Sequence, residues 1–165
     1  APTGPKLPHA FFHACLAEGR TSTGPAAHAL AAVDAGLEEA RTSLDRLFEP
    51  ELWRLKGELL LRADGELRRA GTLLLPSKAR EAERCSRRAL ALARASRAKS
   101  LELRVVVSLA REWAKRGRTV DARRLLGPVC RWFDSHAGGA DVADARSLLG
   151  QLSGPKAGGR RSSRA

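Results

Sequence analysis

The stretch SLELRVVVSLAREWAKRGRTVDARRLLGPVCRWF, residues 100–133, decides the fold. Val106, Leu109, Ala110 and Trp113 step by three, one and three, which puts them on one stripe of a helix. Ser100 opens that helix over 101–116. Gly117 closes it, because glycine takes the left-handed conformation at a helix C-terminus without steric cost. A second helix, about 119–134, carries Ala122, Leu126 and Val129 at spacings of four and three. Ala110 and Ala122 are small where two helices would approach, and Trp113 and Leu126 are large enough to fill the groove beside them. The stretch therefore reads as a helical hairpin.

Outward from it, helix and turn continue to alternate. Residues 136–139 (HAGG) form a loop, and Asp141 caps a short helix from Val142 to Leu152 on which Leu148, Leu149 and Leu152 are apolar. The small, polar, basic tail 153–165 is expected to be disordered. Upstream, Ser77 is placed to cap a helix over 78–97, where Ala82, Cys85, Ala89, Leu92 and Ala93 keep helical spacing. A helix from Glu49-Pro50-Glu51 to about Arg62 carries Leu52, Leu55 and Leu59 beside Trp53 and Leu60, a wide apolar stripe. Residues 64–76 read as a linker with an apolar plug at Leu73–Leu75. Leu30, Val33, Leu37 and Ala40 define a helix over Ala26–Ser43, and Pro8–Glu18 is another, stopped by Gly19. APTGPKLP, 1–8, is an irregular start. The expected domain is 9–152, with hairpins about 9–43, 49–97 and 101–134 and a capping helix 141–152.

Composition points the same way. Ala, Leu and Arg number 29, 25 and 24 of 165 residues, and Ile, Met, Tyr and Asn are absent. The first three are the best helix formers, and strands favour the β-branched and aromatic residues that are scarce here. The expected class is all-α. The longest aliphatic runs, Leu59–Leu61, Leu73–Leu75 and Val105–Val107, fall far short of the ~18–20 apolar residues of a membrane span, so no membrane partner is expected. No basic-then-apolar leader opens the chain, and its start at Ala1 suggests a fragment or a processed product. Cys15, Cys85 and Cys130 are odd in number, far apart and without a CxxC pair. That argues against a disulfide framework or a zinc site, and for buried thiols in a reducing cytoplasm.

The net charge of +12 is uneven: residues 1–77 carry −1, 78–124 carry +10 (15 basic, 5 acidic) and 125–165 carry +3. A basic stretch of that kind suits an acidic partner or a nucleic acid. The plainer reading is arginine as the general surface residue of a biased chain.

The hairpin at 100–133 resembles the tetratricopeptide repeat, whose first helix places W-x2-L-G-x2-Y and whose second places A-x3-F in about 34 residues. Val106, Leu109, Ala110, Trp113, Gly117, Ala122, Leu126 and Val129 fit it. The hairpin at 49–97 fits in part, with Trp53, Gly57 and Leu60 on the first helix and Ala82 and Ala89 on the second. Lys56 stands where Leu is expected and Ser86 where an aromatic is usual. Gly57 to Ala82 spans 25 residues, against about 12 in the plain repeat. The first hairpin fits only with five extra residues in its turn.

ELWRLKGELLL, AREAERCSRRALALARA, the stretch 100–133 and DVADARSLLGQL together resemble the C-terminal helical-repeat region of large bacterial signalling proteins. In that family a class III adenylate/guanylate cyclase domain or a DNA-binding regulator domain precedes an AAA-type predicted ATPase module. The resemblance covers about 48–152, extends more loosely over 7–45, and departs at Ser86 and His136–Gly139. It implies an α-solenoid of about three hairpins, acting as a sensor or scaffold toward the other domains of a longer chain.

No catalytic, cofactor or metal constellation is expected. No phosphate-loop pattern occurs; Gly154-Pro155-Lys156 and Gly158-Gly159 do not fit it. His9 and His13 share a helix face but lack a third ligand. Asp134, Ser135 and His136 are neighbours on one loop and cannot form a relay. Asp141 and Asp144 read as a cap and a first-turn acid rather than an acid/base pair. Glu38, Glu39, Glu81 and Glu83 read as solvated faces with arginines three or four residues away. The expected partner is a protein or peptide, including other domains of the same chain, met by inner-face positions Arg54, Glu58, Arg104, Ser108 and Arg111. The alternative is nucleic-acid binding through 78–124.

Overall fold

The computed structural model describes residues 25–42, 46–69, 77–136 and 138–154. The expectations for 1–24, including His9, His13 and Cys15, and for the tail beyond Gly154, lie outside them. The described residues form six helices and no strand: α1 Ala26–Thr42, α2 Glu49–Arg69, α3 Ser77–Ala95, α4 Lys99–Lys115, α5 Thr119–Asp134 and α6 Ala140–Ser153. The protein is all-α.

The chain divides into two compact units at Leu109–Ala110, within α4. In the first, Ala26, Ala29, Val33 and Ala40 of α1 pack against Leu52, Leu55, Leu59 and Ala63 of α2. Burying a leucine fully contributes about 1.5–3 kcal/mol, so this leucine row is the main attachment of the two helices. The opposite stripe of α2, Trp53 and Leu60, meets Ala82 and Cys85 of α3.

α2 runs seven residues past the expected end at Arg62, and the reason lies in Glu66. Its carboxylate accepts the Ala26 N–H at 3.2 Å, satisfying one open donor at the α1 N-terminus. It also pairs with Arg62 at 2.9 Å, one turn back. The Ala26 hydrogen bond, reinforced by Arg62, outweighs desolvation and holds the Glu66 carboxyl below its usual range. The start of α1 thus lies beside the end of α2, and Lys56 reaches Asp34 at 2.7 Å midway, so the two helices run antiparallel.

Two turns share one construction. At 93–98, Ala98 N–H donates to Ala93 O at 3.0 Å, and Arg97 sits at φ 54°. At 113–118, Arg118 N–H donates to Trp113 O at 2.8 Å, and Gly117 sits at φ 77°. Each is a helix C-terminus closed by a six-to-one hydrogen bond around a left-handed residue. The two are twenty residues apart.

In the second unit α5 packs on α6. Ala122, Leu126, Val129, Cys130 and Phe133 of α5 are buried, as are Val142, Ala145 and Leu148 of α6. The residue flanking the α6 N-terminus is Gly139, with no side-chain cap. Asp141, expected as the cap, lies one residue inside the helix, because α6 begins at Ala140 and φ 152° at the cap position suits glycine. Among the described residues no helix is long and apolar enough to cross a membrane.

Candidate interaction site

The repeat-position residues fall at helix contacts. Gly57 is the tightest: a Cβ there would stand 2.9 Å from Ser86 Oγ and 3.0 Å from Ala82 O. α2 and α3 therefore approach backbone to backbone at this point. That explains Ser86, since a ring has no room there, and the serine hydroxyl is taken up by the Ala82 carbonyl at 3.1 Å. Lys56 occupies a leucine position because its ammonium bridges to Asp34 and lies over the Trp53 ring at 5.6 Å. Leu60 and Ala82 share one cluster, and Ala89 is fully buried. Val106 and Leu109 are buried in the first unit; Ala110, Trp113, Ala122, Leu126 and Val129 are buried in the second. Arg118 stacks over Trp113 at 4.3 Å while its Nε donates to Asp121.

Four of the five expected partner residues converge. Arg54 donates to both Glu51 oxygens, at 3.0 and 2.8 Å, and to Glu58 at 2.6 Å. It also reaches Ser108 Oγ at 3.5 Å. Ser108 donates to Glu58, and Arg104 stands 3.6 Å from Glu51. Position 51 meets 104 and position 58 meets 108, so α2 and the first part of α4 run side by side in the same direction. Glu51, whose side chain is 6% exposed, is the centre of this network. It escaped the sequence reading, although Glu51, Arg54 and Glu58 at spacings of three and four carry the signal. Burial alone would lower the Arg54 pKa. The hydrogen bonds it donates to Glu51 and the charges of Glu58 and Glu51 outweigh it and hold the guanidinium above its ordinary value.

Arg111 belongs to the second unit, where it clamps both oxygens of Asp144 at 2.5 and 2.6 Å and so ties α4 to α6. Asp144 is therefore an ion-pair partner rather than a simple first-turn acid. Arg146 pairs with Asp134 at 2.6 Å. His136 stacks on Trp132 at 4.1 Å, and its Nδ1 lies 2.7 Å from the Trp132 carbonyl. Glu102 is buried at the α3–α4 turn, held by Lys99 at 2.7 Å and Arg94 at 2.8 Å. Desolvation pushes its carboxyl up, but these two bonds outweigh it and keep it below the usual range. Cys85 and Cys130 are buried free thiols, each pushed up by desolvation. No cluster of three metal-ligating side chains occurs among the described residues.

These features define the class: an all-helical protein with side-by-side helices tied by charged side chains. Comparison with known proteins returns no matching family model, no matching curated protein and no matching solved structure.

Proposed function

We propose that the chain is a non-catalytic, tetratricopeptide-like helical-repeat interaction module. In this reading it is the sensor or scaffold part of a bacterial signalling ATPase linked to a nucleotide cyclase or a transcriptional regulator. The observation that supports it is the charged linkage of alternate helices. α2 is tied to α4 through Glu51, Arg54, Glu58, Arg104 and Ser108 in one unit, and α4 to α6 through Arg111 and Asp144 in the other. Stacked hairpins bring successive first helices side by side, which is the relation of α2 to α4 within the first unit and of α4 to α6 within the second. Arg104, Glu58 and Arg111 keep 47%, 44% and 47% of their side-chain surface exposed, so they remain open to a partner.

The test is cross-linking of the purified chain with the other domains encoded in its reading frame. Cross-links concentrated on α2, α4 and α6 agree with the proposal. A folded chain that makes no contact with those domains counts against it.

One observation favours the nucleic-acid alternative. Arg80, Arg84 and Arg88 are exposed at four-residue spacing on α3, and none has an ion-pair partner among the described residues. That reading requires affinity for DNA or RNA that falls steeply with salt. Unchanged mobility of both at low salt removes it.

A further inference from the structure

The second unit holds a groove that neither reading uses. It has a volume of about 480 Å³ and lies between Arg123, Arg124, Pro128 and Arg131 of α5 and Leu149 and Ser153 of α6. Arg123, Gly127 and Arg131 step by four and so form one ridge about 12 Å long. Gly127 keeps the middle of that ridge low, and Arg131 Nη1 lies 3.4 Å from where a Cβ would stand.

The charge here is unsatisfied. The unit has seven described arginines, and four of them are paired: Arg111 with Asp144, Arg116 with Glu112, Arg118 with Asp121 and Arg146 with Asp134. The other three have no carboxylate partner among the described residues, and all three line the groove. Nothing in the unit's own charge balance requires three open guanidiniums against an apolar wall.

We propose that this groove docks an acidic peptide segment of a protein partner. Its carboxylates pair with Arg123, Arg124 and Arg131, and an apolar side chain lies between Pro128 and Leu149. Guanidinium is the cation suited to this, because its planar fork takes a carboxylate through two parallel hydrogen bonds. A span of about 12 Å matches roughly eight residues of a bound helix or four of an extended strand. Nucleic acid fits less well. Among the described residues no aromatic side chain lines the groove to stack a base, and Trp132, next in sequence to Arg131, is already stacked on His136. The chain's own tail is no substitute, since Lys156, Arg160, Arg161 and Arg164 carry the same sign as the groove. The proposal stands whether or not the helices form a repeat.

The test is fluorescence anisotropy with the whole chain at low ionic strength. The probe is a labelled peptide of about 12 residues built from Glu-Glu-Leu units, long enough to span the groove in helical form. The controls are the same peptide with Gln for Glu, and single-stranded DNA of similar length. Saturable binding of the acidic peptide is expected, with the Gln peptide about tenfold weaker or worse. Reversing Arg123 and Arg131 together, R123E/R131E, abolishes binding without loss of helical signal, because neither residue has a carboxylate partner among the described residues. Reversing Arg80 and Arg88 together leaves binding unchanged. Leu149→Ala weakens the leucine-containing peptide but not polyglutamate. Equal loss in both double variants shows diffuse charge attraction and overturns the proposal. It is equally overturned if DNA binds more tightly through Arg123 and Arg131, or if the acidic peptide does not bind.

Discussion

Replacing Gly57 by alanine puts a methyl carbon 2.9 Å from Ser86 Oγ and 3.0 Å from the Ala82 carbonyl oxygen. An ordinary contact of this kind needs about 3.3–3.6 Å, so one side must give by roughly half an ångström. Ser86 cannot relieve it alone. Its hydroxyl is buried and bonded to the same Ala82 carbonyl, and that carbonyl is α3 backbone. The helices must therefore separate and loosen Leu60, Ala82 and Cys85. Overpacking of this sort costs about 1–3 kcal/mol. Against it stands the ordinary gain of glycine to alanine within a helix, about 0.5–1 kcal/mol. The expected net loss is about 0.5–2 kcal/mol, a fall in Tm of roughly 2–6 °C for a chain of this size. Gly65, eight residues on in the same helix, has nothing among the described residues within 4 Å of its notional Cβ, so Gly65→Ala should raise Tm by about 2–3 °C. Urea titration followed by circular dichroism measures both, with an unchanged slope showing that stability alone has moved. The reasoning is refuted if Gly57→Ala stabilises the protein as Gly65→Ala does, for then the backbones are not in contact at Gly57.

Four further outcomes follow from the same geometry. Arg97→Gly should stabilise the protein by about 1 kcal/mol by relieving a left-handed arginine, while Gly117→Ala should cost about 1 kcal/mol; thermal unfolding reads both. Arg54→Met leaves Glu51 buried with only Arg104 at 3.6 Å, and should cost about 2–4 kcal/mol in urea unfolding, far more than Arg41→Met, whose Glu38 pair is exposed. Glu102 has a depressed folded pKa, so its contribution is present above the unfolded value near 4.5 and is lost as pH falls through the folded one; the stability gap to Glu102→Gln should be fully open at pH 6–7 and narrow as pH falls below 4.5. The Cys85 and Cys130 thiols should react with a disulfide reagent many-fold more slowly in the folded chain than in urea, because burial disfavours their thiolates.

Helix existence was legible because each segment has its own local signal. Gly117 stops α4, and Ala122, Leu126 and Val129 keep the spacing of α5, with no need of a distant neighbour. Helix ends were less legible where a distant residue sets them. ADGELRR does not carry an apolar stripe, and it stays helical in company with Glu66, which caps Ala26 forty residues away. The same holds for the site. Arg54, Glu58, Arg104 and Ser108 could be chosen from their positions beside the packed stripe. That they bond to one another, through a buried Glu51, depends on α2 and α4 lying side by side. Ser86 and Lys56, which break the repeat pattern in sequence, fit locally once Gly57 and Asp34 are opposite them.

The basic stretch can now be divided by what each cation does. Arg87, Arg94, Lys99, Arg104, Arg111, Lys115, Arg116 and Arg118 are all within ion-pair distance of a carboxylate, so about half of the fifteen cations of 78–124 are matched within the fold. Exposed pairs of this kind are worth about 0–1 kcal/mol each and steer little, because their fields cancel over a few ångströms. Among the cations with no carboxylate partner among the described residues, two sets are grouped: Arg80, Arg84 and Arg88 along α3, and Arg123 and Arg124 with the neighbouring Arg131 at the α5–α6 groove. The first set lies on one exposed helix face, which a flexible polyanion can follow without shape. The second lies in a cleft with an apolar wall, which demands shape as well as charge. Salt should separate them: binding on α3 weakens with the full electrostatic dependence, whereas binding in the groove keeps the part contributed by Pro128 and Leu149.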